Sequence, residues 1–222
     1  MDIEHGPPSQ KVDSEEVKPL PKEFSEKFKS PGVRIDVVDL SYSVKIKKQY
    51  KQLLKHVNLV IQPGDMVALM GPSGAGKSTL LDLVADRKKI GYVSGNIYIN
   101  KQPRSPLFRR ETAYCLQDDI HISTLTVEET IKYAAWARLP GSTSEKQLKE
   151  RVELMLQMMG LTHVRNSIVG NALMKGISGG QLKRLSIAVD IVALPDLIFL
   201  GTSKHMPLNF SIYLKYFKSA KL

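Results

Sequence analysis

The residues best equipped for chemistry lie in two short glycine-bearing stretches. Gly71-Pro72-Ser73-Gly74-Ala75-Gly76-Lys77-Ser78 fits the pattern G-x-x-x-x-G-K-S/T in full. Glycines here let successive backbone N–H groups turn inward around phosphate oxygens, where a Cβ would obstruct them. Lys77 supplies a point charge between the β- and γ-phosphates, and Ser78 offers a hydroxyl to Mg²⁺. The helix opening at Ser78-Thr79 points its positive end at the same anion. ATP or GTP is the ligand class that this chemistry suits. The second stretch, Ile177-Ser178-Gly179-Gly180-Gln181-Leu182-Lys183-Arg184, lies about a hundred residues downstream. It reads as another helix N-terminus, with Ser178 and the Gly179 and Gly180 backbone available to a phosphate.

The elements around these stretches follow from periodicity and punctuation. Ile35, Val37, Leu40, Tyr42 and Val44 make a ragged strand pattern that begins near Val33. Gln62-Pro63-Gly64-Asp65 is a turn, and the apolar run Met66-Val67-Ala68-Leu69-Met70 after it predicts a buried parallel strand leading into the phosphate loop. Thr79 to Ala85 has helical character, and Asn96 to Asn100 alternates as a strand. Ala113-Tyr114-Cys115-Leu116 reads as a buried strand in which Cys115 is a small core residue. Thr126-Val127-Glu128-Glu129 is a capping box opening a helix to about Leu139, before Pro140-Gly141. A further helix spans about Glu145 to Met159, ending at Gly160, with Val152, Met155, Leu156 and Met159 as its core stripe. The last helix starts after Ser178 and runs to Ala193, and Leu197-Ile198-Phe199-Leu200 is an apolar strand. Strand, phosphate loop, helix and later strand predict an α/β fold with a parallel sheet.

Composition bounds the rest. The chain has 222 residues and a formal net charge of +10, with a single cysteine, which excludes an internal disulfide framework and a multi-cysteine zinc site. Residues 1–32 hold five lysines against seven acidic residues and several prolines, and read as a disordered arm. Arg87-Lys88-Lys89 is the longest run of adjacent bases, so the positive charge reads as solvated surface and no nucleic-acid partner is expected. The sequence holds neither a secretory h-region nor 18 consecutive apolar residues.

Taken together, the phosphate loop, Gln117 in Ala113-Tyr114-Cys115-Leu116-Gln117-Asp118-Asp119, and Ser178-Gly179-Gly180-Gln181 resemble the nucleotide-binding domain of ABC transporters, from about residue 33 to 200. Finer details resemble the G (White-like) subfamily: Gly71 to Asp82, Ala85-Asp86-Arg87-Lys88, Gly95-Asn96-Ile97, Leu125 to Glu129 and Arg138-Leu139-Pro140. The resemblance implies a P-loop NTPase core with an N-terminal antiparallel β region and a helical subdomain, and an ATPase that drives export of lipids, sterols or drug-like molecules. It implies ATP and Mg²⁺ as cofactors. Gly71 to Thr79 would hold nucleotide, Ser78 and Gln117 would contact Mg²⁺, and Gln117 would also reach the attacking water. Ser178, Gly179, Gly180 and Gln181 would serve the site of a second nucleotide-binding domain, in a homo- or heterodimer. An aromatic upstream of the loop would stack on adenine, with Tyr42 the nearest residue and Val44 the alternative. A transmembrane domain would follow in the full-length protein, holding it at the cytoplasmic side of a membrane; this chain alone would be soluble.

The resemblance breaks at one residue. After Leu200 the family pattern calls for Asp-Glu-Pro-Thr, the aspartate for Mg²⁺ and the glutamate for the attacking water. Here the chain reads Gly201-Thr202-Ser203-Lys204. His205 lies too close to the preceding strand to act as the family's switch histidine. Residues 201–222 carry four lysines and no acid and are read as a non-family tail, from a retained intron, a frameshift or a wrong gene model. The expectation is an incomplete core that binds nucleotide and hydrolyses it very slowly. The alternative is a natural non-catalytic isoform that binds ATP or pairs with a full-length subunit.

Overall fold

The computed structural model describes residues 32–116 and 118–201; the readings made for the N-terminal arm, for Gln117 and for residues 202–222 lie outside the described residues. Strands β1 (Ile35–Ile46) and β2 (Gln49–Ile61) form an antiparallel hairpin, and β1 also pairs antiparallel with β3 (Tyr92–Ile99). The short strand β4 (Gln102–Pro103) completes a sheet of order β2-β1-β3-β4. The β3–β4 turn places Asn100 and Lys101 at φ 51° and 66°, the conformation that a two-residue hairpin needs to match the strand twist.

The ragged apolar pattern of β1 has a physical cause. Ile35 and Val37 alternate correctly, then the buried set slips by one to Leu40 and Tyr42. The register to β3 shifts between Val38 and Ser41, and Asp39 sits at φ 52°: a bulge inserts the extra residue. Gly95 on β3 makes room for it. A Cβ there would lie 2.3 Å from the Asp39 carbonyl oxygen, and its φ of 88° also favours glycine.

Helix α1 (Lys77–Val84) follows the phosphate loop and packs Leu83 and Val84 beneath this sheet. Arg104 caps its far end, its guanidinium donating to the Leu83 carbonyl at 2.6 Å, to the Val84 carbonyl at 3.2 Å and to Asp86 Oδ1 at 2.6 Å. After a one-turn helix α2 (Phe108–Glu111), strand β5 (Thr112–Cys115) pairs parallel with β6 (Leu197–Leu200). This two-stranded unit separates two cores. Ala113 and Cys115 face helices α3 (Val127–Arg138), α4 (Glu145–Met158) and α5 (Gly179–Ile191), while Tyr114 and Phe199 face the β1–β3 sheet and α1. Phe199 packs its ring 6.4 Å from Phe108 and 6.2 Å from Tyr114, centroid to centroid. Burial pushes the Cys115 thiol well above its ordinary range, in keeping with a core residue.

All three helices of the second core begin with reciprocal capping boxes: Thr126 with Glu129, Ser144 with Gln147, and Ser178 with Gln181. Helix α4 is closed after Met158 by the Met159 cap and Gly160, at φ 60°, and the amide of Leu161 reaches back to the Leu156 carbonyl at 2.8 Å. The expected stripe of Val152, Met155, Leu156 and Met159 is buried.

One expectation fails. Met66 to Met70 is not a buried strand: it is irregular, with Met66 63%, Val67 45% and Met70 88% exposed. An apolar run becomes a buried parallel strand only where neighbouring strands supply backbone partners and cover both faces. Among the described residues no strand pairs with it. Instead Met66 to Leu69 line a cleft of about 760 Å³ that Leu197 to Gly201, in β6 and at its end, also line. The parallel sheet among the described residues therefore consists of β5 and β6 alone.

Met155 is fully buried at the centre of the helical core. Met155→Ala is expected to cost about 2–5 kcal/mol through lost burial and the cavity left behind. Urea unfolding should show a lower midpoint with an unchanged slope; an unchanged midpoint would contradict this packing. A pH effect also follows from His121, whose Nε2 lies 2.7 Å from Ser186 Oγ and whose pKa burial lowers from 6.5, against the opposing pull of Asp119 and Asp190. A histidine held below its unfolded pKa contributes stability that is complete above about 6.5 and is lost as pH falls towards its folded value. His121→Gln should flatten the pH dependence of the urea midpoint below about pH 6.5, and an unchanged slope there would count against the burial of this ring.

Candidate nucleotide-binding site

Gly71 to Gly76 wraps the N-terminus of α1 without a side-chain cap, so the helix start is built from backbone alone. Gly71, Gly74 and Gly76 take φ values of 149°, 81° and 87°. The positive φ at Gly76 is matched by a close approach: a Cβ would lie 2.8 Å from Leu54 Cδ2 and 3.2 Å from the Leu53 carbonyl. The loop is therefore pressed against β2 on one side and open on the other, since a Cβ at Gly74 would meet nothing within 4 Å. Within the loop, Ala75 donates to the Pro72 carbonyl at 3.3 Å.

Lys77 folds back over this loop, its ammonium donating to the carbonyls of Gly71 at 2.9 Å and Pro72 at 2.7 Å. The Lys77 ammonium is thus held against the loop backbone, Pro72, Ser73, Gly74 and Ala75 being exposed and Thr79 half-buried. Lys77 and the exposed Ser78 line the cleft described above, together with Asp82 and Asp118. Charge, a hydroxyl and nearby carboxylates are the donor set for a phosphate–Mg²⁺ pair. Asp82 is fixed by the Tyr114 hydroxyl, which donates to Oδ1 at 2.5 Å, and by Lys88 at 3.6 Å. Burial and this bond hold the Tyr114 phenol far above its ordinary pKa.

Tyr42 does not stand where a base could stack on it. It is 1% exposed, its hydroxyl donates to the Ile90 carbonyl, and a Cβ on Gly91 would collide with its ring. Its ring is consumed by the sheet core, and the half-buried Val44 is the next residue along the strand pointing the same way.

Ser178, Gly179 and Gly180, all exposed, and the half-buried Gln181 form the start of α5 and its cap. The Ser178 hydroxyl accepts from the Gln181 amide at 3.3 Å, and Gln181 Oε1 accepts from the Ser178 amide at 2.8 Å. The cap uses the Ser178 hydroxyl oxygen as acceptor and leaves its O–H to donate outward. Space is open beside both glycines. The four residues do not line the cleft of Lys77 and Ser78, so the chain does not bring its two anion-binding turns together.

Sequence reading missed the lysine behind this turn. Lys183 is 4% exposed and bonds to the chain between β5 and α3. Its position on the inward face of α5, one turn after Ser178, was the available signal; a lysine there needs a partner.

Comparison with known proteins places these observations. The family model described as ABC transporter matches residues 54–201. The chain is 39% identical over 174 residues to ABC transporter G family member 22 of Dictyostelium discoideum, covering 76% of this chain and 28% of that protein. It is 36% identical over 191 residues to the broad substrate specificity ATP-binding cassette transporter ABCG2 of Sus scrofa, covering 82% and 29% respectively. The chain thus spans less than a third of these relatives' length. The fold is similar to a solved dimeric structure of the ATP-binding cassette MJ0796 in a post-hydrolysis state with ADP and Pi, at a TM-score of 0.64 and 24% identity, covering 84% of this chain and 80% of that one. The match of the family model across both glycine-bearing turns and the elements between them shows that the chain belongs to the ABC transporter family.

Proposed function

We propose that the chain, read as one domain over residues 33–200, binds ATP with Mg²⁺ as the nucleotide-binding part of a G-subfamily transporter. The observation that carries this is the phosphate loop: three glycines at positive φ, an uncapped helix start, and the Lys77 ammonium held against the loop backbone. The backbone amides would bind phosphate oxygens, Lys77 would neutralise charge between the β- and γ-phosphates, and Ser78 and Gln117 would hold Mg²⁺. Bound Mg²⁺ neutralises charge on the phosphates and orients them. Adenine stacking is not assigned to Tyr42, for the reason given above.

The turn at Ser178 to Gln181 lies away from this cleft in the same chain, which supports a role at the site of a second nucleotide-binding domain. The solved neighbour is described as dimeric. The named relatives of this chain are transporters, which supports a membrane-bound, cytoplasm-facing setting for the whole protein, and among the described residues no helix is long and apolar enough to cross a membrane. Lipids, sterols or drug-like molecules are the proposed cargo class of that whole.

Hydrolysis is a separate question. Residues 201–204 read Gly-Thr-Ser-Lys where the resemblance calls for carboxylates on Mg²⁺ and the attacking water. The reading is therefore binding with very slow turnover, and pairing with a full-length subunit is the second reading. Sequencing the transcript across the codons for Leu200 and Gly201 tests whether this tail is encoded: a message continuing as Asp-Glu-Pro-Thr restores an ordinary transporter, and co-purification with full-length subunits tests the pairing reading.

Lys77→Ala in the full chain should weaken MgATP binding at least tenfold, about 1.4 kcal/mol, with the far-UV circular dichroism unchanged. Calorimetry giving equal affinities for the two proteins would overturn the nucleotide reading. Phosphate release by the unaltered chain should not exceed that of Lys77→Ala; a clear excess would show that other groups activate the water.

A further inference from the structure

Helix α5 carries a buried cation that phosphate binding alone leaves unexplained. The Lys183 ammonium donates to the Leu116 carbonyl at 2.8 Å and to Asp119 Oδ1 at 3.1 Å, with side chains 6% and 17% exposed. Three residues on, Ser186 donates to the Leu182 carbonyl at 3.1 Å and so accepts from His121 Nε2 at 2.7 Å. The first turns of α5 therefore grip the chain at Leu116, Asp119 and His121.

The gripped segment has two faces. Asp119 and His121 turn to α5, whereas Leu116, Asp118 and Ile120 line the cleft of Lys77 and Ser78. Both sets of side chains hang on one short stretch of backbone that bends at Asp118, so fixing one set restrains the other. Burying a lysine costs energy that one ion pair rarely recovers, and hydrophobic residues usually serve packing as well. Here the cation also holds a backbone carbonyl, which a methionine could not.

We propose that Lys183 is a positioning residue for the nucleotide cleft: by fastening Leu116 and Asp119 to α5, it presents the Asp118 carboxylate to the divalent cation that accompanies the phosphates. The helix behind the Ser178 turn and the metal side of the cleft then move as one body. This rests on the nucleotide reading above and adds a carboxylate and its anchor to it.

The test is the difference between ATP affinity with Mg²⁺ and ATP affinity in excess chelator, measured by calorimetry on the full chain. Lys183→Met should weaken MgATP binding about tenfold or more while metal-free ATP binding stays within about twofold. Asp118→Asn should show the same selective loss, and Lys183→Arg should recover most of it. Asp118 is exposed, so its variant carries the test if Lys183→Met fails to fold. Equal loss with and without Mg²⁺ would mark Lys183 as structural only, and no loss in either would remove it from the site. Both results overturn the proposal. The two readings fail separately: ATP binding indifferent to Lys77→Ala sinks the nucleotide site itself, whereas binding that needs Lys77 but ignores Asp118 and Lys183 sinks only the positioning role.

Discussion

Everything in this molecule leans on the β5–β6 pair. Two four-residue strands, joined in parallel register from Thr112 against Leu197 to Cys115 against Leu200, are the only wall between a sheet-and-helix core and an all-helical core among the described residues. Strand alternation makes this possible: one face carries Ala113, Cys115, Ile198 and Leu200 against the helices, and the other carries the rings of Tyr114 and Phe199. The chain leaves β5 directly into the segment that borders the nucleotide cleft, and Tyr114 itself orients Asp82 in that cleft. Support and site are thus consecutive along the chain, and a disturbance of the wall reaches the cleft within a residue or two.

How much of this was legible depended on whether the cause was local. Helices α3 and α4 announce themselves because Thr126 with Glu129 and the closing Gly160 act over one turn. The phosphate loop is equally local, since its glycines are required by backbone conformations within eight residues. The broken alternation of β1 was visible as raggedness, but its bulge at Asp39 became interpretable only beside β3. Met66 to Met70 misled for the opposite reason. Apolar composition states what a segment tolerates, and whether it is covered depends on strands far away in sequence.

The site shows the same division. Lys77 and Ser78 line one cleft because the loop brings its own residues together, which a short motif makes visible in sequence. Tyr42 was misread because an upstream tyrosine looks the same in sequence whether its ring faces a ligand or a core; the decision lies with Ile90 and Gly91, nearly fifty residues on. Lys183 escaped notice because a lysine on a helix ordinarily marks the solvent side. Its partners, Leu116 and Asp119, are more than sixty residues away, and one of them offers only a backbone carbonyl, which has no sequence signature.

The bulge at Asp39 also constrains how this sequence can change through descent. Any side chain at position 95 collides with the Asp39 carbonyl, so Gly95 is replaceable only if the bulge disappears. Flattening the bulge without removing its extra residue would shift half of β1 by one and send Leu40 and Tyr42 to the opposite face. Two positions more than fifty apart in the chain are therefore a single heritable unit, lost or kept together, and lineages that diverge freely along the exposed half of this sheet must do so around that pair.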